Sequence, residues 1–215
     1  MLNKALIETA IEAVKERFSG DYTGHDYSHT MRVYEVASAI ATQETANMEI
    51  VQLASLLHDV DDYKLFGGAM GGFSYAQSFL RNQQVEEQRI EEICKIISEI
   101  SFKGSDTVKP GTIEGMIVQD ADRLDAIGAV GIARAFSYGA VHQRKMYDKE
   151  EKPKLHMNAD EYRKNKGNTI NHFYEKLLLL KDMMNTETGK QMALQRHRFM
   201  EGFLREFWDE VEGKR

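Results

Sequence analysis

The stretch "LASLLHDVDDYKLFGG" occupies residues 53–68. Ile50, Leu53, Ala54 and Leu57 form one stripe at helical spacing and predict an apolar helix over 47–59. That helix closes on His58 and Asp59, with Asp61 and Asp62 immediately beyond. A carboxylate at the end of an apolar helix faces a large desolvation cost unless a cation or hydrogen-bond donors surround it. Negative charge at a helix C-terminus also opposes the macrodipole, so capping cannot account for Asp59, Asp61 and Asp62 together. A bound cation does.

Outward from this segment, two prolines in 215 residues and repeated i, i+3, i+4 apolar spacing predict helices almost throughout. The expected helices are 3–18, 28–44, 47–59, 74–83, 85–100, 112–127, 128–145, 158–184 and 187–211. The fold class is all-α, a single-domain helical bundle with its motif-bearing core at about 20–140 and C-terminal helices over 158–211 packing on it. Breaks fall at Gly20 and Gly24, at "GGAMGG" (67–72), at "KGSDTVKPG" (103–111) and at "DKEEKPK" (148–154). The glycine-rich break directly follows the acids, where a lid that closes over a ligand is one reading and a plain connector the other.

Composition narrows the class of function. Charged residues make up 29% and hydrophobic ones 42%, a soluble globular balance. The one cysteine, Cys94, allows no intrachain disulfide, and a cytoplasmic location is expected. The first residues predict an amphipathic helix rather than a signal peptide, and no window has the roughly 18 apolar residues a membrane span needs. A formal net charge of −6 disfavours long nucleic acid as a partner and leaves small phosphorylated ligands open.

Two histidines are expected to point inward. His29 lies on the stripe of Val33, Val36, Ala37 and Ile40, in a helix for which Ser28 is the expected N-cap. His58 follows Ala54 by four residues on the stripe of the next helix. In "EGMIVQDADRLDAIGAVGIARAF" (114–136), Ile113, Ile117, Leu124 and Ile127 form one apolar face, and Val118, Asp122, Asp125 and Ala129 form an opposite one. Asp120, on the apolar face, is expected in a structural ion pair with Arg123 or Arg134. Two imidazoles with two carboxylates, drawn inward from three helices, form a mixed nitrogen and oxygen set that suits a divalent transition metal. Manganese, nickel, cobalt or iron is expected, with magnesium less natural because it prefers oxygen shells.

The order His29, then His58–Asp59, then Asp122 within "DADRLDAIGA" resembles the HD superfamily of metal-dependent phosphohydrolases. "GHDYSHTMRV", "LASLLHDVDD", "SFKG" and "QDADRLDAIGAVGIARAF" resemble its YedJ/YpgQ-type branch in order and spacing, over roughly residues 20–140. The resemblance implies that His29, His58, Asp59 and Asp122 bind one metal and that Asp62 matches the acid often catalytic in this superfamily. Many relatives have glutamate there, and Asp61 competes for the role. Residues 60–121 contain no histidine, whereas two-metal members of the superfamily place extra histidines there, so a mononuclear site is expected.

Stabilising charge on a phosphoryl group calls for fixed cations. Lys103 in "SFKG", Arg123 and Arg134 are the candidates, with Asp125 beside them; a solvated loop lysine and two arginines that merely neutralise the core acids are the plainer readings. Arg32 adjoins the His29 face, with Asp26 as an alternative partner, and His25 is a further substrate-side candidate. His142, His156, His172 and His197 are expected to lack acid partners and to serve packing or surface roles. Met183, Met184, Met192 and Met200 are expected to fill the core or form a seam in a homodimer. The resemblance implies a nucleotide substrate, with (deoxy)nucleoside triphosphate pyrophosphohydrolysis as the first reading. A 5'-nucleotidase-type phosphomonoesterase and a non-catalytic metal- and nucleotide-binding regulatory domain are the alternatives.

Overall fold

Short polar side chains start the first three helices, each accepting the third backbone N–H of the turn that follows, the ordinary remedy for unsatisfied N-terminal donors. Asn3 caps α1 (Lys4–Arg17), Asp26 caps α2 (Tyr27–Glu44) and Asn47 caps α3 (Met48–Leu57). The remaining helices are α4 (Ser74–Asn82), α5 (Glu87–Ile100), α6 (Ile113–Asp125), α7 (Gly128–Val141), α8 (Ala159–Lys164), α9 (Thr169–His172) and α10 (Glu187–Val211). The computed structural model describes residues 3–20, 26–62, 66 and 72–215. Among them the regular elements are helices and helical turns with no strand, so the fold is all-α as expected.

The chain forms two compact units. The first comprises Met1–Phe102 with Val108–Asp122, and the second comprises Lys103–Thr107 with Arg123–Arg215. In the first, α3 touches α1, α2 and α5. It is accordingly buried all round, from Ile50 through Leu57 with Gln52 and Ser55 included, and not only along one stripe. Val14, Val33, Ile40, Leu56, Ile93 and Ile117 complete that core. Ile113, expected on the apolar face of α6, is 36% exposed because it sits in the first turn of the helix.

In the second unit, Phe136 meets Phe173, Phe203 and Phe207, with ring centroids 6.0–6.4 Å apart. Trp208 packs on Phe207 and donates its indole N–H to the Tyr174 hydroxyl. Gly128 adopts φ +77°, which starts a new helix directly after α6. A side chain at Gly131 would collide with the Ala126 carbonyl, so two glycines of "DAIGAVG" serve this turn.

Two predicted helices are shorter than expected. The helix predicted over 128–145 ends at Val141, where Gln143 takes φ 54° and the amides of Gln143 and Arg144 bond back to Ala140 and Gly139. That pair of bonds is a Schellman closure. The helix predicted over 158–184 is broken. α8 ends at Lys164, Asn168 caps α9 by accepting from Asn171 N–H, and the chain continues through a π-helical turn at Phe173–Leu177 and a 3-10 turn at Leu180–Met183. Buried side-chain bonds decide the break: Asn165 donates to Glu175, and Asn168 donates to Glu151. Met184 and Met200 are buried, as core filler should be.

Candidate metal centre

His29 owes its position to Asp26. The Asp26 carboxylate accepts the His29 backbone N–H at 2.8 Å, so α2 starts two residues earlier than a cap at Ser28 would allow. This fixes His29 in the first turn, with its side chain fully buried. Arg32 follows three residues later and is half-buried.

His58 is the C-cap of α3, where the backbone carbonyls of the last turn lack helical partners. Its Nδ1 lies 2.7 Å from the Ser55 carbonyl, which accepts the Nδ1–H. In the neutral ring that bond assigns the tautomer whose Nε2 carries the lone pair a metal would take. Past His58 the chain turns sharply, with Val60 N–H on the Leu57 carbonyl and Asp62 N–H on the Asp59 carbonyl. The turn carries the Asp59 carboxylate back alongside its neighbour's ring.

The donors meet in the first unit. His29 Nε2 and His58 Nε2 are 3.2 Å apart, and Asp59 Oδ2 is 3.4 Å from the first and 3.3 Å from the second. Asp122 Oδ1, from α6, is 3.5 Å and 4.0 Å from the same two nitrogens. Metal bonds of about 2.1 Å place adjacent ligand atoms roughly 3.0–3.4 Å apart, so His29, His58 and Asp59 group as three donors around one ion would, while Asp122 stands wider than that range. Two neutral nitrogens and two carboxylates also match a divalent charge.

Electrostatics point the same way. Burial opposes a charged His58 ring, yet the Asp59 and Asp122 carboxylates and the Ser55 carbonyl outweigh it and raise its pKa to about 9. Concentrated negative potential at a buried imidazole is what a cation would relieve.

The family model of the HD domain matches residues 26–127. YpgQ of Bacillus subtilis is 37% identical over 202 residues, covering 93% of this chain and 91% of that protein. The chain belongs to the HD superfamily. A crystal structure of an HD-superfamily hydrolase from Bacillus thuringiensis is similar at 40% identity and TM-score 0.77, covering 97% of this chain and 98% of that one. A Lactobacillus plantarum protein of known structure reaches TM-score 0.88 at 36% identity, over 99% of this chain and 100% of its own. YpgQ has been crystallised in complex with ADP; that structure has TM-score 0.78 and 32% identity, over 98% of this chain and 97% of that one.

The HD pair is thus His58–Asp59, and the two acids behind it have different surroundings. Asp61 accepts the backbone N–H groups of Tyr75 and Ala76, each at 2.9 Å, and lies 3.4 Å from the Ser74 hydroxyl. It caps α4, whose own N-cap residue, Phe73, has no side-chain acceptor to offer. Asp62 is half-buried on the same turn. Asp120 is fully buried.

The substrate-side candidates of the second unit bond within it. Arg134 Nη1 donates to Asp125 Oδ2 at 2.6 Å, and the Asp125 side chain is 3% exposed. Arg123 is buried and donates to the Met183 carbonyl. Lys103 is exposed at the start of the 3-10 turn Gly104–Asp106. His25 and residues 67–71 of the glycine-rich break lie outside the described residues.

Of the four remaining histidines, His197 departs from expectation and His172 meets it as a packing residue. His197 does have an acid partner, Glu201, at 3.4 Å and a spacing of four residues. His172 is pushed down to about 3 by burial, with Lys176 and Arg144 adding to the effect, so it stays neutral. The Ser55 carbonyl, which orients His58, has no signature in the sequence beyond its i−3 position at a helix end. Among the described residues no single helix is long and apolar enough to cross a membrane.

Proposed function

We propose that the chain is a metal-dependent phosphohydrolase of nucleotides that cleaves a (deoxy)nucleoside triphosphate and releases pyrophosphate. The observation that carries this reading is the convergence of donor atoms from His29, His58, Asp59 and Asp122, with Asp62 on the turn that leaves the HD pair. The ADP bound to YpgQ supports a nucleotide as the ligand class.

His29, His58, Asp59 and Asp122 would hold one divalent ion, with manganese, nickel, cobalt or iron favoured by the nitrogen and oxygen mixture. When bound there, it would supply Lewis-acid chemistry, lowering the pKa of a water and polarising a phosphoryl oxygen. The Ser55 carbonyl keeps His58 in the tautomer that offers Nε2. Asp62 accepts the proton of the attacking water as general base. Asp61 is committed to α4, so it serves architecture. Arg123, Asp125 and Arg134 bond within the second unit and serve its architecture.

The test is a nucleotide panel supplied with manganese, with products identified. Pyrophosphate from a triphosphate is the expected result. Phosphate from monophosphates would indicate a phosphomonoesterase, and no product across the panel would indicate a regulatory domain.

A further inference from the structure

α1 ends beside the HD turn. The Arg17 guanidinium carbon lies 3.8 Å from the Phe66 ring centroid and 4.6 Å from that of Tyr75, well within cation–π range. Arg17 Nε donates to the Val60 carbonyl at 3.1 Å. Val60 is fully buried and follows the HD pair directly, so without Arg17 that carbonyl would lose its charged donor.

Further bonds tie the same parts together. Phe18 meets Phe66 edge-on at 5.4 Å, and the Tyr75 hydroxyl is 3.4 Å from the Ala13 carbonyl of α1. Tyr75 N–H bonds Asp61, and Phe66 N–H bonds the Asp62 carbonyl. Val60, Asp61 and Asp62 are therefore each held by a group that is Arg17 or belongs to a residue touching it. A basic residue in the last turn of a helix ordinarily complements the macrodipole and stays solvated. Arg17 instead is half-buried and uses its donor edge and its ring-facing surface at once. Lysine has no planar surface with a fixed in-plane donor and cannot do both.

We infer that Arg17 is a positioning residue for Asp62, holding the turn after the HD pair from outside the ligand set. The inference rests on the reading of Asp62 as general base. A misplacement of about 1 Å at a reacting group costs roughly 100-fold in rate, so a loosened turn should slow turnover while substrate binding survives.

The experiment compares the full-length wild type with R17A, R17K and D62N. It measures kcat and KM with manganese on the preferred nucleotide, and amide hydrogen exchange of the metal-free proteins. Both Arg17 variants should lower kcat by about 10- to 100-fold, with KM within about threefold of wild type. Exchange in peptides covering 58–62 should rise about tenfold or more while those covering 87–100 hold. R17K, the variant that keeps charge and bulk, should not rescue either readout. Wild-type kcat and exchange in R17K, with D62N inactive, overturns the Arg17 inference alone. Exchange that rises equally along the chain overturns it too, as a loss of general stability. Wild-type kcat in D62N overturns instead the assignment of Asp62.

Discussion

His29 Nε2 and His58 Nε2, from residues 29 apart in sequence, face each other across 3.2 Å in the company of two carboxylates. Because His58 gives its Nδ1 proton to Ser55, its Nε2 is an acceptor when the ring is neutral. A shared proton and a cation each suit two rings and two acids set this close, and these two occupants compete.

That competition predicts a pH dependence. With the His58 pKa raised to about 9, a proton must leave before a metal binds, so metal affinity should strengthen from pH 7 to pH 9 and level off above. The metal-free protein should behave in the opposite sense. A raised folded pKa stabilises fully below the unfolded value of about 6.5 and loses that contribution as pH rises through about 9. Thermal unfolding from pH 6 to pH 10, with and without manganese, checks both signs.

Adjacent aspartates should separate by role. D62N should lose about 100-fold or more in kcat with its melting temperature preserved. D61A should lose about 1 kcal/mol of stability, the usual value of a lost cap, and keep the larger share of its activity. Steady-state kinetics beside calorimetry decides this, and equal kcat losses in the two variants would count against it.

Asp125 and Arg134 should act on stability rather than on substrate. Removing one partner leaves the other charge buried, at a cost of about 3 kcal/mol, so D125A should unfold at markedly lower denaturant while KM stays near wild type. A raised KM in R134A at unchanged stability would return Arg134 to the substrate.

The inward placing of His29 and His58 is legible in the sequence through the apolar stripes of α2 and α3, and the candidacy of Asp122 through the order of motifs. The role of Asp61 is not, since its partner is the start of a helix that follows a stretch without periodicity. The break at 165–168 is hidden because Phe173, Leu177 and Leu180 continue a helical rhythm that buried asparagine bonds override. The His197–Glu201 pair, by contrast, lies open to view at i, i+4 spacing, against the expectation that His197 lacks an acid partner. Arg17 looks like any basic residue in a last turn, and only tertiary contact with Phe66 and Tyr75 sets it apart.

Metal content tests the central claim most directly. Protein loaded with manganese and freed of excess should hold one ion per chain, and anomalous diffraction should place that ion against His29, His58, Asp59 and Asp122, with H58A holding almost none. An ion elsewhere, or wild-type metal content in H58A, would contradict the account.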